Sequence, residues 1–210
     1  MRKIVFLGDS VTDARHSDGL NSPYGTGFVS VVRNTLWFRY PSQSDIDVLN
    51  RGVGGETLLQ IAKRLKNDVI AEKPDLLFIE AGVNDSWRKF DSDNGGTPDS
   101  VFSECYEELL QTVRRESPKT RIVLLTPYAL ALTPMSLLIR GDLEGKIKIV
   151  RSLAVHYGCG LIDLSAIMDS YRRYFDEKAI ALDGVHPAVI GCAIIAEEAM
   201  KVIESFFALK

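Results

Sequence analysis

Cysteine is scarce and carries no pattern. Cys105, Cys159 and Cys192 are odd in number and lack metal or redox spacing, so they are expected as three reduced thiols. His16, His156 and His186 form no ligand-spaced cluster, and no metal is expected. Long apolar runs are missing too. Nothing approaches a membrane span, and the short run after Met1-Arg2-Lys3 falls short of a signal-peptide core. The expectation is a cytoplasmic protein without a membrane partner. Net charge is only −3, which gives no reason to expect nucleic acid. Neither a Gly-x-Gly-x-x-Gly stretch nor a phosphate loop is present, and no cofactor is expected. Repeats, linkers and low-complexity tracts are absent as well.

What is present is ordinary in amount. The 210 residues are 46% apolar and 25% charged, enough for one domain over residues 1–210 with a full core. The chain opens on Ile4-Val5-Phe6-Leu7, a run that reads as a strand buried on both faces, and stops at Gly8-Asp9-Ser10. A polar loop with His16, Asp18, Gly19, Pro23, Gly25 and Gly27 follows, and then a helical pattern from Phe28 to Trp37. Ile46 to Asn50 is a second strand, ending in a glycine-rich turn before a helix with Leu58, Ile61, Ala62, Leu65 and Val69 on one face.

Leu76 to Glu80 is the third strand. A polar loop is expected from its end through Gly95-Gly96-Thr97-Pro98, and a helix from about Asp99 to Glu116. Ile122 to Leu125 is the fourth strand, followed by an irregular connection and a helix from about Leu143 to Tyr157. Gly160 to Asp163 is a short fifth strand, and a further helical segment holds Ile167, Tyr171 and Phe175. The loop Leu182 to Pro187 leads to a last amphipathic helix. Five alternations of strand and helix argue for an α/β fold, a parallel five-stranded sheet sandwiched between helices.

The polar candidates all fall at strand carboxyl ends or in the last loop, positions that share one edge of such a sheet. Ser10 follows the first strand, Gly54 the second and Asn84 the third, while Asp183 and His186 precede the last helix. Chance delivers one such residue readily and five much less readily. Acyl transfer needs a nucleophile, a base, a group that holds the base in the right tautomer, and oxyanion donors. Ser10 can be the nucleophile and His186 the base, with Asp183 three residues earlier aimed at the other ring nitrogen. The Gly54 N–H, the Asn84 amide and the Ser10 N–H can form the oxyanion hole. Plainer readings stand beside these. Ser10 can be a turn or cap residue, Gly52, Gly54 and Gly55 a bare turn, Asn84-Asp85 an Asx-turn, and Asp183 a turn cap. His16 is the rival base. His156 sits near a helix C-terminus, where a cation suits the dipole.

Gly8-Asp9-Ser10, Gly54, Gly82-Val83-Asn84-Asp85 and Asp183-Gly184-Val185-His186-Pro187 resemble, in order, the four blocks of the SGNH (GDSL-type) hydrolases. Val11 stands where the family name has Leu, an apolar change. The resemblance implies a flavodoxin-like three-layer α/β/α fold. It also implies Ser10 as nucleophile with Asp183 and His186, and Ser10, Gly54 and Asn84 as oxyanion donors. A narrower likeness runs through Gly8 to Asp13, Asn50-Arg51-Gly52, Ile70 to Asp75 and Gly82 to Asp91. Those stretches are similar to intracellular bacterial acetylxylan esterases of the family. The likeness weakens between Thr126 and Arg140.

The expectation is therefore a serine esterase acting through an acyl-enzyme on small-acyl, acetyl esters of carbohydrate. Asp9 and Trp87 are candidate substrate-binding residues, Trp87 as a face for a sugar ring. Other readings stay open. One is a lysophospholipase or thioesterase of the same family, and another is a flavodoxin-like binding module. A classical α/β-hydrolase is disfavoured by the lack of a Gly-x-Ser-x-Gly elbow. The partner is expected to be a small ester, an acetylated oligosaccharide in the narrower reading. The sequence leaves open whether the chain forms a homo-oligomer.

Overall fold

In the computed structural model, residues 1–19, 22–91 and 95–209 are described. The loops expected after Ser10 and before Pro98 run through residues 20–21 and 92–94, which lie outside the described residues. β1 (Arg2–Gly8) leads into α1 (Ser10–Asp13), a short 3-10 turn at His16–Asp18 and α2 (Phe28–Arg39). β2 (Ile46–Gly52), α3 (Leu58–Lys63) and a widened turn at Lys66–Ile70 follow, then β3 (Leu76–Glu80) and α4 (Val83–Asp91). After α5 (Asp99–Glu116) come β4 (Arg121–Leu125), α6 (Pro134–His156) and β5 (Gly160–Ile162). α7 (Leu164–Tyr171), α8 (Glu177–Ile180) and α9 (Val189–Phe207) complete the chain.

All five strands are parallel and lie in the order β2-β1-β3-β4-β5. Their side chains alternate between two cores. Ile4, Phe6, Leu76, Phe78, Val123 and Leu125 face α2, α7 and α9. Val5, Leu7, Leu77, Ile79, Ile122 and Leu124 face α3, α5 and the second half of α6. Burial on both faces explains why these strands read as continuous apolar runs rather than alternating ones. At the centre, Phe6 stacks on Phe78 with centroids 4.6 Å apart and meets Phe28 edge-on at 5.5 Å. The order reverses direction at β1, so the crevice beside its carboxyl end is where an open sheet of this kind takes a ligand.

Four helical expectations are corrected. Val83–Asp91, expected as polar loop, is helix: Val83, Trp87 and Phe90 recur at helical spacing and pack with Ile139, Leu143 and Ile147 of α6 in a third cluster. Six polar residues in nine hide that stripe. α6 begins at Pro134 rather than near Leu143, because Thr133 and Ser136 form a capping box with Pro134 in the first turn. Its exposed Leu137 and Leu138 blur the apolar face there. The chain after Ser10 turns at once into α1 instead of opening as a loop. α7 stops at Tyr171, and Phe175 lies beyond it, stacked on the Tyr171 ring at 6.2 Å. Among the described residues no helix is long and apolar enough to cross a membrane.

Replacing the central ring tests this core. Phe6→Ala removes both ring contacts in a site that cannot collapse, and should cost about 3–5 kcal/mol of unfolding free energy. Urea denaturation followed by circular dichroism would measure it, and a loss below about 1 kcal/mol would contradict the packing described.

Candidate active site

The site starts from a steric constraint. α1 begins one residue after β1 ends, so its backbone lies on the end of β2. A Cβ at Gly52 would come within 2.2 Å of the Asp13 nitrogen, which leaves glycine as the residue that fits. Asn50, buried at the end of β2, donates through Nδ2 to the carbonyls of Thr12, at 2.8 Å, and Tyr24, at 3.1 Å, and pins the far end of α1. Ser10 is thereby held in the first turn of a helix at the sheet's edge.

The last loop arrives from the other end of the chain. Leu182 N–H donates to His186 O at 2.8 Å and Ala188 N–H to Ile180 O at 2.9 Å, closing a tight turn. Gly184 takes φ +96°, a Cβ there would lie 2.4 Å from the Leu130 carbonyl, and the Gly184 carbonyl accepts from the Leu130 N–H at 2.7 Å. Inside the turn Asp183 Oδ1 accepts from the N–H groups of Val185 and His186 at 2.9 and 2.8 Å. Its Oδ2 lies 2.7 Å from His186 Nδ1, and His186 Nε2 lies 3.0 Å from Ser10 Oγ.

These contacts set the protonation. An ionised Asp183 only accepts, so Nδ1 carries the imidazole proton and Nε2 is left to accept from the Ser10 hydroxyl. Burial pushes the Asp183 carboxyl up, but the His186 side chain and the two loop N–H groups together outweigh it, holding Asp183 well below the usual carboxylate range. The hydrogen bond to Asp183 raises His186 above an ordinary imidazole, against the opposing effect of burial. Such a chain can take a proton from a serine hydroxyl and stabilise the imidazolium that results.

The other expected residues are placed less uniformly. Asn84, 7% exposed in the first turn of α4, donates through Nδ2 to the Glu56 carbonyl at 3.0 Å. Arg88 donates to the Gly55 carbonyl at 3.0 Å, so α4 braces the loop that carries Gly54. A Cβ on Gly54 would stand 4.0 Å from that of Ser10, which brings the two together as expected. The Gly54 N–H, however, is not free. It donates to Asp13 Oδ2 at 3.0 Å, and can turn to an oxyanion only when Asp13 releases it. Asp9 is wholly buried and caps α1 by accepting from Val11 N–H at 3.0 Å. The Trp87 ring lies 6.0 Å from that of His186, at the mouth of the site.

The rival base has a different partner. His16 Nδ1 lies 2.7 Å from Asp13 Oδ1, and Asp13 also accepts from Ser17 N–H at 3.0 Å. Asp13 itself escaped the sequence reading, although its place three residues after Ser10 was a usable signal. Glu80 escaped it too, a lone acid ending an apolar strand. His156 is the last residue of α6. The three cysteines are free, and among the described residues no His, Cys, Asp and Glu cluster could hold a metal ion.

Comparison with known proteins adds the chemistry class. The GDSL-like lipase/acylhydrolase family pattern matches residues 6–194. The chain belongs to that family. It is a carboxylic ester hydrolase. The acetylxylan esterase of Geobacillus stearothermophilus is 30% identical over 207 residues, covering 96% of this chain and 93% of that protein. A crystal structure of an acetylxylan esterase from that organism superposes with a TM-score of 0.83 at 28% identity, over 95% of this chain and 93% of that one. The α/β hydrolase LAE5 from the Lake Arreo metagenome gives 0.82 at 29%, over 95% and 94%.

The Asp183–His186 bond can be tested without substrate. Asp183→Asn should lower the His186 pKa toward that of a free imidazole, because the residue that raises it has lost its charge. NMR titration of the imidazole measures the change, and an unmoved or raised value would contradict the contact.

Proposed function

We propose that Ser10, His186 and Asp183 form the catalytic triad of an esterase that removes small acyl groups, acetyl above all, from carbohydrate. The observation that carries the reading is the continuous chain from Ser10 Oγ to His186 at 3.0 Å and on to Asp183 at 2.7 Å. Ser10 Oγ attacks the ester carbonyl carbon as its proton passes to His186 Nε2, and Asp183 stabilises the imidazolium. The carbonyl oxygen becomes an oxyanion held by the Ser10 N–H and the N–H of Asn84 Nδ2 that Glu56 leaves unused. Gly54 joins them once its N–H leaves Asp13. Collapse breaks the ester C–O bond, and the departing alkoxide takes the His186 proton. Water then gives His186 a proton as its oxygen attacks the acyl carbon, and release of Ser10 Oγ, reprotonated by His186, yields the carboxylic acid.

The carbohydrate assignment rests on two supports. Relatives over nearly the whole chain are named acetylxylan esterases. The Trp87 ring beside His186 offers an apolar face of the kind a sugar ring stacks on. A second reading, longer acyl chains as in a lysophospholipase or thioesterase, is favoured by Leu182 and Val189. They are 68% and 84% exposed within four residues of His186 and offer an apolar rim.

Ser10→Ala should keep the fold and lower ester turnover by about ten-thousandfold or more, while His16→Ala leaves most activity. Fluorophosphonate labelling of any residue but Ser10, read by mass spectrometry, would sink the assignment. An acyl-chain series separates the two substrate readings. Acetyl esters should be cleaved roughly tenfold or more faster than octanoyl esters. Trp87→Ala should impair release of acetate from acetylated xylo-oligosaccharide more than from an aryl acetate. A preference for octanoyl esters or acyl thioesters would favour the second reading instead.

A further inference from the structure

Directly behind Ser10 lie two carboxyl groups for which the proposed mechanism has no use. Asp9 follows β1 and Glu80 ends β3, the neighbouring strand, and they are 0% and 2% exposed. Asp9 spends Oδ1 on the Val11 N–H in the first turn of α1. Its Oδ2 is buried with no N–H or hydroxyl donor from the protein. The group placed to reach it is the Glu80 carboxyl, brought beside Asp9 by the pairing of β1 with β3. Glu80 Oε2 receives little else, only the Thr12 hydroxyl at a long 3.5 Å.

Two ionised carboxylates so placed cannot hydrogen-bond to each other, because each would only accept. One carboxylic acid and one carboxylate can. We propose that Asp9 and Glu80 share one proton behind Ser10, and that this protonated pair is a positioning element of the site. It holds Asp9 on the Val11 N–H, and with it the turn that carries the Ser10 hydroxyl and N–H. It also leaves a single negative charge facing His186. This deepens the triad reading and rests on it for the catalytic consequence alone.

The surroundings agree. The groups that act on the pair are Thr12, Asp85, Tyr106, Tyr128 and His186, contributed by α1, α4, α5, the chain after β4 and the last loop. None of these is a permanent cation, and the Arg64 guanidinium, which donates to the Gly8 carbonyl beside Asp9 at 2.9 Å, is itself paired with Glu56 and Asp68. Burial, and then the charge of Asp9, push Glu80 well above the usual carboxylate range. Burial likewise pushes Asp9 up, to about 6. Asp9 in turn adds to the raised value of His186, behind the larger effect of Asp183. The folded protein keeps a proton between the carboxyls at neutral pH because expelling it leaves two like charges in contact without water.

The test compares Glu80→Gln, whose amide N–H can donate permanently to Asp9, with Glu80→Leu, which donates nothing. Glu80→Leu should lower kcat on an aryl acetate by on the order of tenfold or more with little change in KM, since the loss is one of positioning. Glu80→Gln should restore most of it. The pH dependence follows by linkage. A folded-state pKa raised above the unfolded value gives stability that is complete below the unfolded carboxyl value, about 4.3, and is lost as pH rises toward the folded one. Wild-type stability, measured by urea denaturation, should therefore fall relative to Glu80→Gln as pH rises from acid through neutral. A protonated-carboxyl C=O band in the infrared at about pH 8 should be present in the wild type and absent from Glu80→Gln.

No such band, together with a wild-type-minus-Gln stability difference flat in pH, would overturn the proposal. So would a Glu80→Leu enzyme with the kcat of Glu80→Gln. The infrared and stability readouts need no substrate. If Ser10→Ala stays active, the triad reading fails while these two measurements still decide the shared proton.

Discussion

A parallel sheet covered by helices on both faces offers polar groups only its two ends, and the whole arrangement of this protein follows from that constraint. The interiors of the central strands β3 and β4, and of β1 from Ile4 onward, are apolar because each side chain meets a helix, α2 and α9 on one side, α3 and α5 on the other. Polar side chains are displaced to the carboxyl edge, where the direction of connection reverses at β1. Ser10, Asn50, Glu80 and Asn84 all stand at or just past that edge. Their chemistry is then a matter of which of them touch.

Close backbone approach does the rest of the positioning. α1 starts at Ser10 with no intervening loop, so its turn rests on the end of β2 and must be supported from below. Asn50 supports its far end and Asp9 its first turn. The cost is a carboxylate wholly out of water. Glu80 beside it turns that cost into a pair that is tolerable only with a proton between its members. The Ser10 backbone and a buried acid pair are therefore one mechanical unit, built where two neighbouring strands end.

The edge holds two aspartate–histidine pairs, and their geometry gives them opposite characters. Asp183 and His186 belong to one tight turn, and the imidazole has a free face toward Ser10. Asp13 and His16 lie on the other side of α1, with Asp13 taking up the Gly54 N–H. The first pair is aimed at a hydroxyl. The second holds back a donor that an oxyanion could use, so the resting site presents fewer donors than its glycine and asparagine suggest.

Much of this was legible in the residues themselves. Continuous apolar runs marked β1, β3 and β4, since burial on both faces removes alternation. The placement of Ser10, Asn84, Asp183 and His186 at strand ends or in the last loop marked the edge. Helical spacing located α2, α5 and α9. Local polarity concealed α4, whose stripe of Val83, Trp87 and Phe90 has meaning only against α6, and exposed leucines concealed the start of α6. The capture of the Gly54 N–H by Asp13 and the meeting of Asp9 with Glu80 were likewise beyond reach. The residue types, their order and the strand pattern determined the sheet and the residues along its edge, because each depends on local periodicity and on chain direction. Only the tertiary structure decided which side chains share a proton or a donor, because those contacts join residues 41 and 71 positions apart whose distance is set by packing and by nothing in their own neighbourhoods.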